Sequence, residues 1–340
     1  MPDSPPLYFD HNANSPLRPE LRATYLELLE SGLGNPSSLH AAGRRARLLI
    51  DEARERIAAA LAVHEDELVF TSGGTEADNL ALLGSVRTHD APLVTSRLEH
   101  AAVLEPAAAL ADLGHPTAWI EHDATGRVAP EALRRACDPH PGGVVAVAAA
   151  NGEVGTVQPL ETLVEAARAA GAAWFHTDAV QALGRVPLAL HASGVDSAAL
   201  SAHKLGGPVG VGVLYTRLGF RVPPLLHGGG QEGGIRPGTE NAAAIAVAGL
   251  AIERAVAERQ AFAAQGLDLT RRMATMLRES IPQVSFNGPS PESDDRLPNT
   301  LNVTLPGVDG RVLVTRLDLA DPALTCRPAK SSRVTRTRPS

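Results

Sequence analysis

Residues 196–212 read DSAALSAHKLGGPVGVG. A run of small and apolar residues, 197–201, leads directly into Ala202, His203 and Lys204 and then into the Gly/Pro-rich break at 205–210. The run predicts a buried strand, and the break predicts a turn at its carboxyl end. A lysine at the mouth of such a turn, among small residues and beside a histidine, has its ammonium partly desolvated. That lowers its pKa and makes it a Schiff-base nucleophile. Taken alone, the same lysine reads as a strand-end residue snorkelling into water, because buried unpaired lysines are rare. The rest of the chain decides between the two.

Outward from this stretch the pattern alternates. Residues 44–63 predict an amphipathic helix with Ile50, Ala53, Ile57, Ala60 and Leu61 as its apolar stripe. Short apolar runs at 67–70, 92–95, 117–120, 144–150, 172–176, 197–201 and 210–215 are separated by helical or turn-rich stretches such as 160–170. This rhythm predicts an α/β fold with a mainly parallel sheet covered by helices on both faces. After Thr239 it changes: 241–258 and 262–281 read as two long helices and 299–305 as a strand, which predicts a smaller α+β domain.

The 340 residues are 44% hydrophobic and 20% charged, the balance of a globular protein. A formal net charge of −7 argues against nucleic acid as a partner. No apolar run approaches membrane-spanning length, and residues 1–10 lack the basic start and apolar stretch of a secretory signal. Two cysteines, Cys137 and Cys326, exclude a disulfide framework and fit a cytoplasmic location. Residues 326–340 hold five basic residues and no acid, so the rest of the chain carries −12. Such a tail, rich in Arg, Ser, Thr and Pro, reads as a solvated, disordered end.

In sheets of this kind ligands sit at the carboxyl ends of the strands. After the run at 67–70 come Thr71, Ser72, Gly73, Gly74 and Thr75 and then a helix start, where backbone N–H groups and hydroxyls would cradle a phosphate. The same groups also make an ordinary helix cap, with Thr75 capping and Asp78 three residues on. After 92–95 comes His100, able to stack on an aromatic ring or shuttle a proton, or simply to cap a helix. After 172–176 comes Asp178, whose carboxylate can hold a ring nitrogen protonated and make that ring an electron sink, or can serve as an N-cap. A phosphate loop, a stacking ring, a pyridinium carboxylate and a Schiff-base lysine together are what pyridoxal phosphate chemistry requires.

With these residues in order, the chain resembles the cysteine desulfurases, in the class V aminotransferase group of fold type I pyridoxal phosphate enzymes. Residues 10–16 (DHNANSP) are similar to that family's opening segment, and 34–40 (GNPSSLH) to its GNPSS-H motif, which implies that Asn35 lies near the substrate. The resemblance implies pyridoxal 5'-phosphate as cofactor, with Gly74 and Thr75 on its phosphate, His100 stacked over the ring and Asp178 at the pyridine nitrogen. It further implies Gln181 near the phenolic oxygen, Ser201 and His203 as phosphate contacts, and Lys204 as the Schiff-base lysine. The glycine-rich segment from His227 to Glu240 would bring Thr239 to the phosphate of a neighbouring subunit, which implies a homodimer.

The activity so implied is conversion of L-cysteine to L-alanine, with sulfur left as a persulfide on an enzyme cysteine and passed to a sulfur acceptor or iron–sulfur scaffold protein. The expected organisation is an N-terminal arm (1–20), a large cofactor-binding domain (21–245), an incomplete small domain (246–325) and the basic tail (326–340). Two departures stand out. Gly152 occupies the place of the second of two asparagines, the one that touches the phenolic oxygen, with Asn151 as a neighbouring candidate. Cys326 lies close to the place of the persulfide cysteine, but its neighbours do not match the family's loop. It is the acceptor, its thiolate favoured by Arg327 and Lys330, or it is coincidental in a truncated or frameshifted end. The compositional break favours the second reading. An inactive relative and a thiol-independent, selenocysteine lyase-like enzyme are the alternatives.

Overall fold

The computed structural model describes residues 7–220, 222–320 and 324–325. Elements follow in chain order as β1 (Leu7–Tyr8), α1 (Pro19–Glu30), α2 (Ala41–Leu61), β2 (Leu68–Thr71), α3 (Gly74–His89), β3 (Leu93–Ser96), α4 (Ala101–Asp112), β4 (Thr117–Ile120), α5 (Pro130–Cys137) and β5 (Val144–Ala146). They continue as α6 (Leu160–Ala169), β6 (Trp174–Asp178), α7 (Leu190–Ser193), β7 (Ser197–Ser201), β8 (Gly212–Thr216), α8 (Ala242–Ser280), β9 (Ser285–Asn287), β10 (Asn302–Thr304), α9 (Gly310–Ala320) and β11 (Leu324–Thr325).

Strands β2, β8, β7, β6, β5, β3 and β4 lie side by side in that order. From β4 to β7 neighbours are parallel, while β8 runs antiparallel to β7 and β2. The mainly parallel α/β sheet expected from the sequence is the sheet formed. Its inner strands are buried on both faces, and even their polar members His176, Thr177, Asp178, Ser197 and Ser201 are buried. Val144, Ala146, Trp174 and Ala199 pack with α3 and α4 on one face. Val145, Phe175, Ala198 and Leu200 pack with α2, α5, α6 and the start of α8 on the other.

Several boundaries differ from the sequence expectation. β6 lies two residues later than the run at 172–176, because Ala172 N–H still bonds back to Ala167 O at the end of α6 (2.9 Å), and Asp178 becomes the last strand residue. Of 144–150 only Val144–Ala146 is strand. On α2, Ala58 rather than Ala60 completes the buried stripe. The two helices expected at 241–258 and 262–281 are one, Ala242–Ser280. Arg259, Gln260 and Ala261 between them are good helix formers, and the helix continues although its surroundings change. Its first part, through Ala255, is buried against the large core, whereas beyond that only Ala274 is buried.

The smaller region pairs β9 with β10, and α9 carries no buried residue. β1 pairs in parallel with β11, Tyr8 opposite Thr325. Cys326 lies outside the described residues, as does the tail. Among the described residues no helix is long and apolar enough to cross a membrane.

α8 crosses α2 at close range: a Cβ placed on Gly249 would lie 3.0 Å from Ala53 Cα and Cβ. Gly249→Val is expected to lower unfolding stability by about 1–3 kcal/mol through overpacking. A thermal midpoint equal to that of the wild type would contradict this packing.

Candidate active site

Lys204 leaves β7 on a short 3₁₀ turn, Ala202–Leu205, closed by Gly206 at φ +75°. The N-terminal arm is sewn to that turn. Ser15 N–H donates to His203 O (3.0 Å) and Ser15 Oγ to Lys204 O (3.1 Å), while Arg18 donates from Nε to Leu205 O (3.0 Å) and from its backbone to Gly206 O (2.9 Å). The arm in turn receives the lysine: Lys204 Nζ donates to Asn12 O and Ala13 O, each at 2.7 Å. Lys204 is half-buried. It is no snorkelling surface residue, and the arm contributes as much to its surroundings as the strand does.

On the neighbouring strand, Asp178 Oδ1 accepts from Val180 N–H at 2.9 Å. Burial and the nearby Asp78 raise its carboxyl from the ordinary range to about 7, against the opposing pull of the Val180 N–H, His100 and His176. A carboxylate so destabilised is stabilised by a cation held against it. His100 caps α4, its Nδ1 accepting from Ala102 N–H at 3.1 Å. The capping alternative and a role near Asp178 thus hold together. Ser201 Oγ lies 2.8 Å from His203 Nδ1, and burial with the adjacent Lys204 lowers His203 to about 4, so its ring is neutral.

Helix α3 starts at Gly74 with Gly73 before it, and no side chain caps its first turn. The Thr75 cap with Asp78 is not formed: Asp78 is 1% exposed and bonded to His176. A Cβ on Gly74 would lie 2.5 Å from Val180 Cγ2, so this close approach requires glycine. An uncapped helix start beside Ser201, a buried acid on β6 and a lysine on β7 fit a group that carries a phosphate at one end and a protonated ring nitrogen at the other. Pyridoxal 5'-phosphate has that form.

Gly152 and Gln181 are complementary. A Cβ at Gly152 would lie 2.7–2.9 Å from Gln181 Nε2, Cδ and Cγ, so the glutamine fills the space left by the missing side chain. Gln181 Nε2 donates to Asn12 O at 3.0 Å and its Oε1 accepts from Arg185. Asn151 is committed elsewhere. Its Nδ2 donates to Leu98 O at 2.9 Å and its Oδ1 accepts from Glu153 and Val154 N–H, so it does not replace the absent asparagine.

Two expected site residues stand apart. Asn35 is exposed and folds its own loop, Oδ1 accepting from Ser37 N–H at 2.9 Å. Thr239 is exposed on the segment before α8, and no described hydrogen bond joins it to the other site residues. The sequence reading missed Asn12 and Arg185. Asn12 Nδ2 donates to Gly152 O and Thr300 Oγ1 and its Oδ1 accepts from Asn299, so one residue links arm, site loop and smaller region. Arg185, 3% exposed, reaches Gln181 and Lys204 O, and burial lowers it to about 10. Only the polar density of 10–15 signalled the first. The second lies in no motif.

Lysine and acid at adjacent strand ends, facing an uncapped helix, define a fold type I pyridoxal phosphate enzyme. The aminotransferase class-V family model matches residues 7–325. A cysteine desulfurase IscS of Dictyoglomus turgidum is 39% identical over 329 residues, 96% of this chain and 82% of that one. A cysteine desulfurase of Bradyrhizobium diazoefficiens is 40% identical over 327 residues, 94% and 81% of the two. Among solved structures a NifS-like protein superposes at TM-score 0.88 with 34% identity, covering 94% of this chain and 87% of that one. SspA, solved in complex with cysteine, superposes at 0.79 with 29% identity, covering 98% and 92%. The chain belongs to the aminotransferase class-V family, among its pyridoxal phosphate-dependent cysteine desulfurases.

Gly152→Ala is expected to displace the Gln181 amide and lower stability by about 1–3 kcal/mol. Combined with Gln181→Ala, the loss should be smaller than the sum of the two single losses; strict additivity would contradict the complementarity. Because the folded pKa of Asp178 is raised, the stability linked to it is full below its unfolded value near 4 and is lost as pH rises through about 7. In protein prepared without pyridoxal phosphate, Asp178→Asn should therefore narrow the gap between thermal midpoints at pH 5 and pH 8. An unchanged gap would contradict the burial of its charge.

Proposed function

We propose that this chain converts L-cysteine to L-alanine and takes the sulfur onto Cys326 as a persulfide. The observation that carries the reading is the placing of Lys204 and Asp178 at the ends of β7 and β6, beside the uncapped start of α3. Relatives that bear the name cysteine desulfurase, and a similar protein solved with cysteine, support the substrate.

Bound pyridoxal phosphate would supply an electrophilic carbonyl carbon and a ring that accepts electrons from the substrate α-carbon. The protein's part divides among named groups. The backbone N–H groups of Gly74 and Thr75, with Ser201 and His203, would hold the phosphate. Asp178 would keep the proton on the ring nitrogen, and His100, fixed by its capping bond, would lie over the ring. Lys204 Nζ, released from the carbonyls of Asn12 and Ala13, would move the proton at the substrate α-carbon. Gln181 would reach the phenolic oxygen only by leaving Asn12 O.

The sulfur step needs a thiolate that attacks the substrate sulfur: a new S–S bond forms, the C–S bond breaks with its electron pair going to carbon, and protonation yields alanine. Cys137 is unsuited, since it is buried and burial pushes its thiol up to about 11. Cys326 is the other cysteine of the sequence. The composition around it argues for coincidence, but it follows β11, which pairs with the strand that opens the arm holding Lys204, and that placing supports its use here. Exposed Asn35 would lie near the substrate, and exposed Thr239 would reach the partner's phosphate in a homodimer. A sulfur acceptor or iron–sulfur scaffold in the cytoplasm would then receive the persulfide sulfur. The large and small domains would meet along α8.

Lys204→Ala should slow L-cysteine turnover about 10²–10⁴-fold, as expected on removing a positioned proton-transfer group. Cys326→Ala should leave the bound-cofactor absorption intact and abolish persulfide formation and sulfide release. Undiminished sulfide release from Cys326→Ala would replace this reading with a thiol-independent lyase.

A further inference from the structure

Between β6 and α3, beneath the site, lies a line of buried polar side chains that the chemistry above does not use. Trp174, His176 and Asp178 alternate along β6 onto one face, the face that α3 covers. Trp174 Nε1–H donates to Ser197 Oγ at 2.9 Å, Ser197 Oγ lies 2.8 Å from His176 Nδ1, and His176 Nε2 lies 2.9 Å from Asp78 Oδ1. His176 and Ser197 are 0% exposed and Asp78 1%. Among the described hydrogen bonds no other group reaches these three side chains, although the charges of Asp178 and Glu99 lie near Asp78. An indole N–H can only donate. Ser197 accepts from it, and the neutral His176 ring completes the chain in one of two senses. Either Nδ1 accepts from Ser197 and Nε2–H donates to Asp78, or Nδ1–H donates to Ser197 and Nε2 accepts from a protonated Asp78, whose carboxyl is raised strongly by burial. Burial lowers His176 to about 4, which agrees with a neutral ring.

The placing of this bond matters more than its strength. α3 and β6 run in opposite senses, with Gly74 packed on Val180 and Asp78 on His176. From Gly74 to Asp78 is about 6 Å along the helix. From His176 to Asp178 is about 7 Å along the strand. The two spacings are similar, so the His176–Asp78 bond, together with the Gly74–Val180 contact just past Asp178, fixes where the start of α3 lies relative to Asp178. We propose that this bond is a tether that sets the distance between the two ends of the cofactor site, the phosphate grip of α3 and the ring-nitrogen carboxylate of β6. His176 and Asp78 are then positioning residues. The inference rests on pyridoxal phosphate occupying this site.

A ligand gripped at both ends feels that distance, and a ligand gripped at one end does not. The test is equilibrium binding of pyridoxal phosphate, of pyridoxal, and of inorganic phosphate as a competitor, to the wild type and to His176→Phe, Asp78→Leu and Asp78→Asn. The first two variants remove the bond; the third keeps an amide that can accept from or donate to His176 Nε2. Pyridoxal phosphate should bind about tenfold or more weakly to His176→Phe and Asp78→Leu, with pyridoxal and phosphate within about threefold of the wild type. Asp78→Asn should hold pyridoxal phosphate within about threefold of the wild type.

Equal weakening of all three ligands, unchanged pyridoxal phosphate binding, or Asp78→Asn as weak as Asp78→Leu would each overturn the tether. A wild type that binds no pyridoxal phosphate overturns the functional reading itself, whereas tight wild-type binding matched by the variants overturns the tether alone. Nitrogen-15 NMR of the wild-type imidazole gives a readout that no folding defect can obscure. Either neutral tautomer agrees with the chain of bonds, and a doubly protonated ring at neutral pH would contradict it.

Discussion

The ammonium of Lys204 rests against two backbone carbonyls, Asn12 O and Ala13 O, each at 2.7 Å. A half-buried lysine needs such partners because a charge taken from water without them is costly. Carbonyl dipoles meet part of that need without adding a fixed negative charge. The arm can serve only if it is itself held, and the carbonyls of residues 203–206 are all occupied by Ser15 and Arg18. The mutual grip of arm and turn explains why two segments about 190 residues apart in sequence behave as one structural unit.

The same burial shapes the acids. Asp178, Glu99 and Asp78 lie within one closed region, and burial raises all three, Asp78 and Glu99 strongly. Glu99 Oε2 accepts from Ala148 N–H at 2.9 Å, and Asp78 bonds to His176, so each of these has a local partner. Asp178 sits at the strand end, with the Val180 N–H, His100 and His176 to favour its charge. A protonated ring nitrogen beside it would complete the balance, which is the reason a group of that kind belongs there.

How much of this was legible in the sequence follows from where each residue stands. Gly74, Asp178 and Lys204 could be found because apolar runs end at or near them and ligands gather at strand ends. His176 could not, because the run at 172–176 seemed to stop there, whereas β6 continues to Asp178 and places the histidine inside the core. Asn12 and Arg185 come from segments without hydrophobic period, and their contacts depend on how distant segments meet. The single helix α8 was read as two because its burial changes near Ala255 while its backbone does not. Gly152 was legible as a departure from the family pattern; that Gln181 fills its place was not, since side-chain packing leaves no trace in spacing.

The arm, the 3₁₀ turn and the cofactor site meet at one nitrogen atom, Lys204 Nζ. Borohydride reduction of the protein loaded with pyridoxal phosphate, followed by peptide mapping, reports which amine the cofactor occupies. The pyridoxyl group is predicted on Lys204 alone, in the peptide that spans the end of β7 and its 3₁₀ turn. A label on any other lysine, or no stable label after loading, would contradict the account.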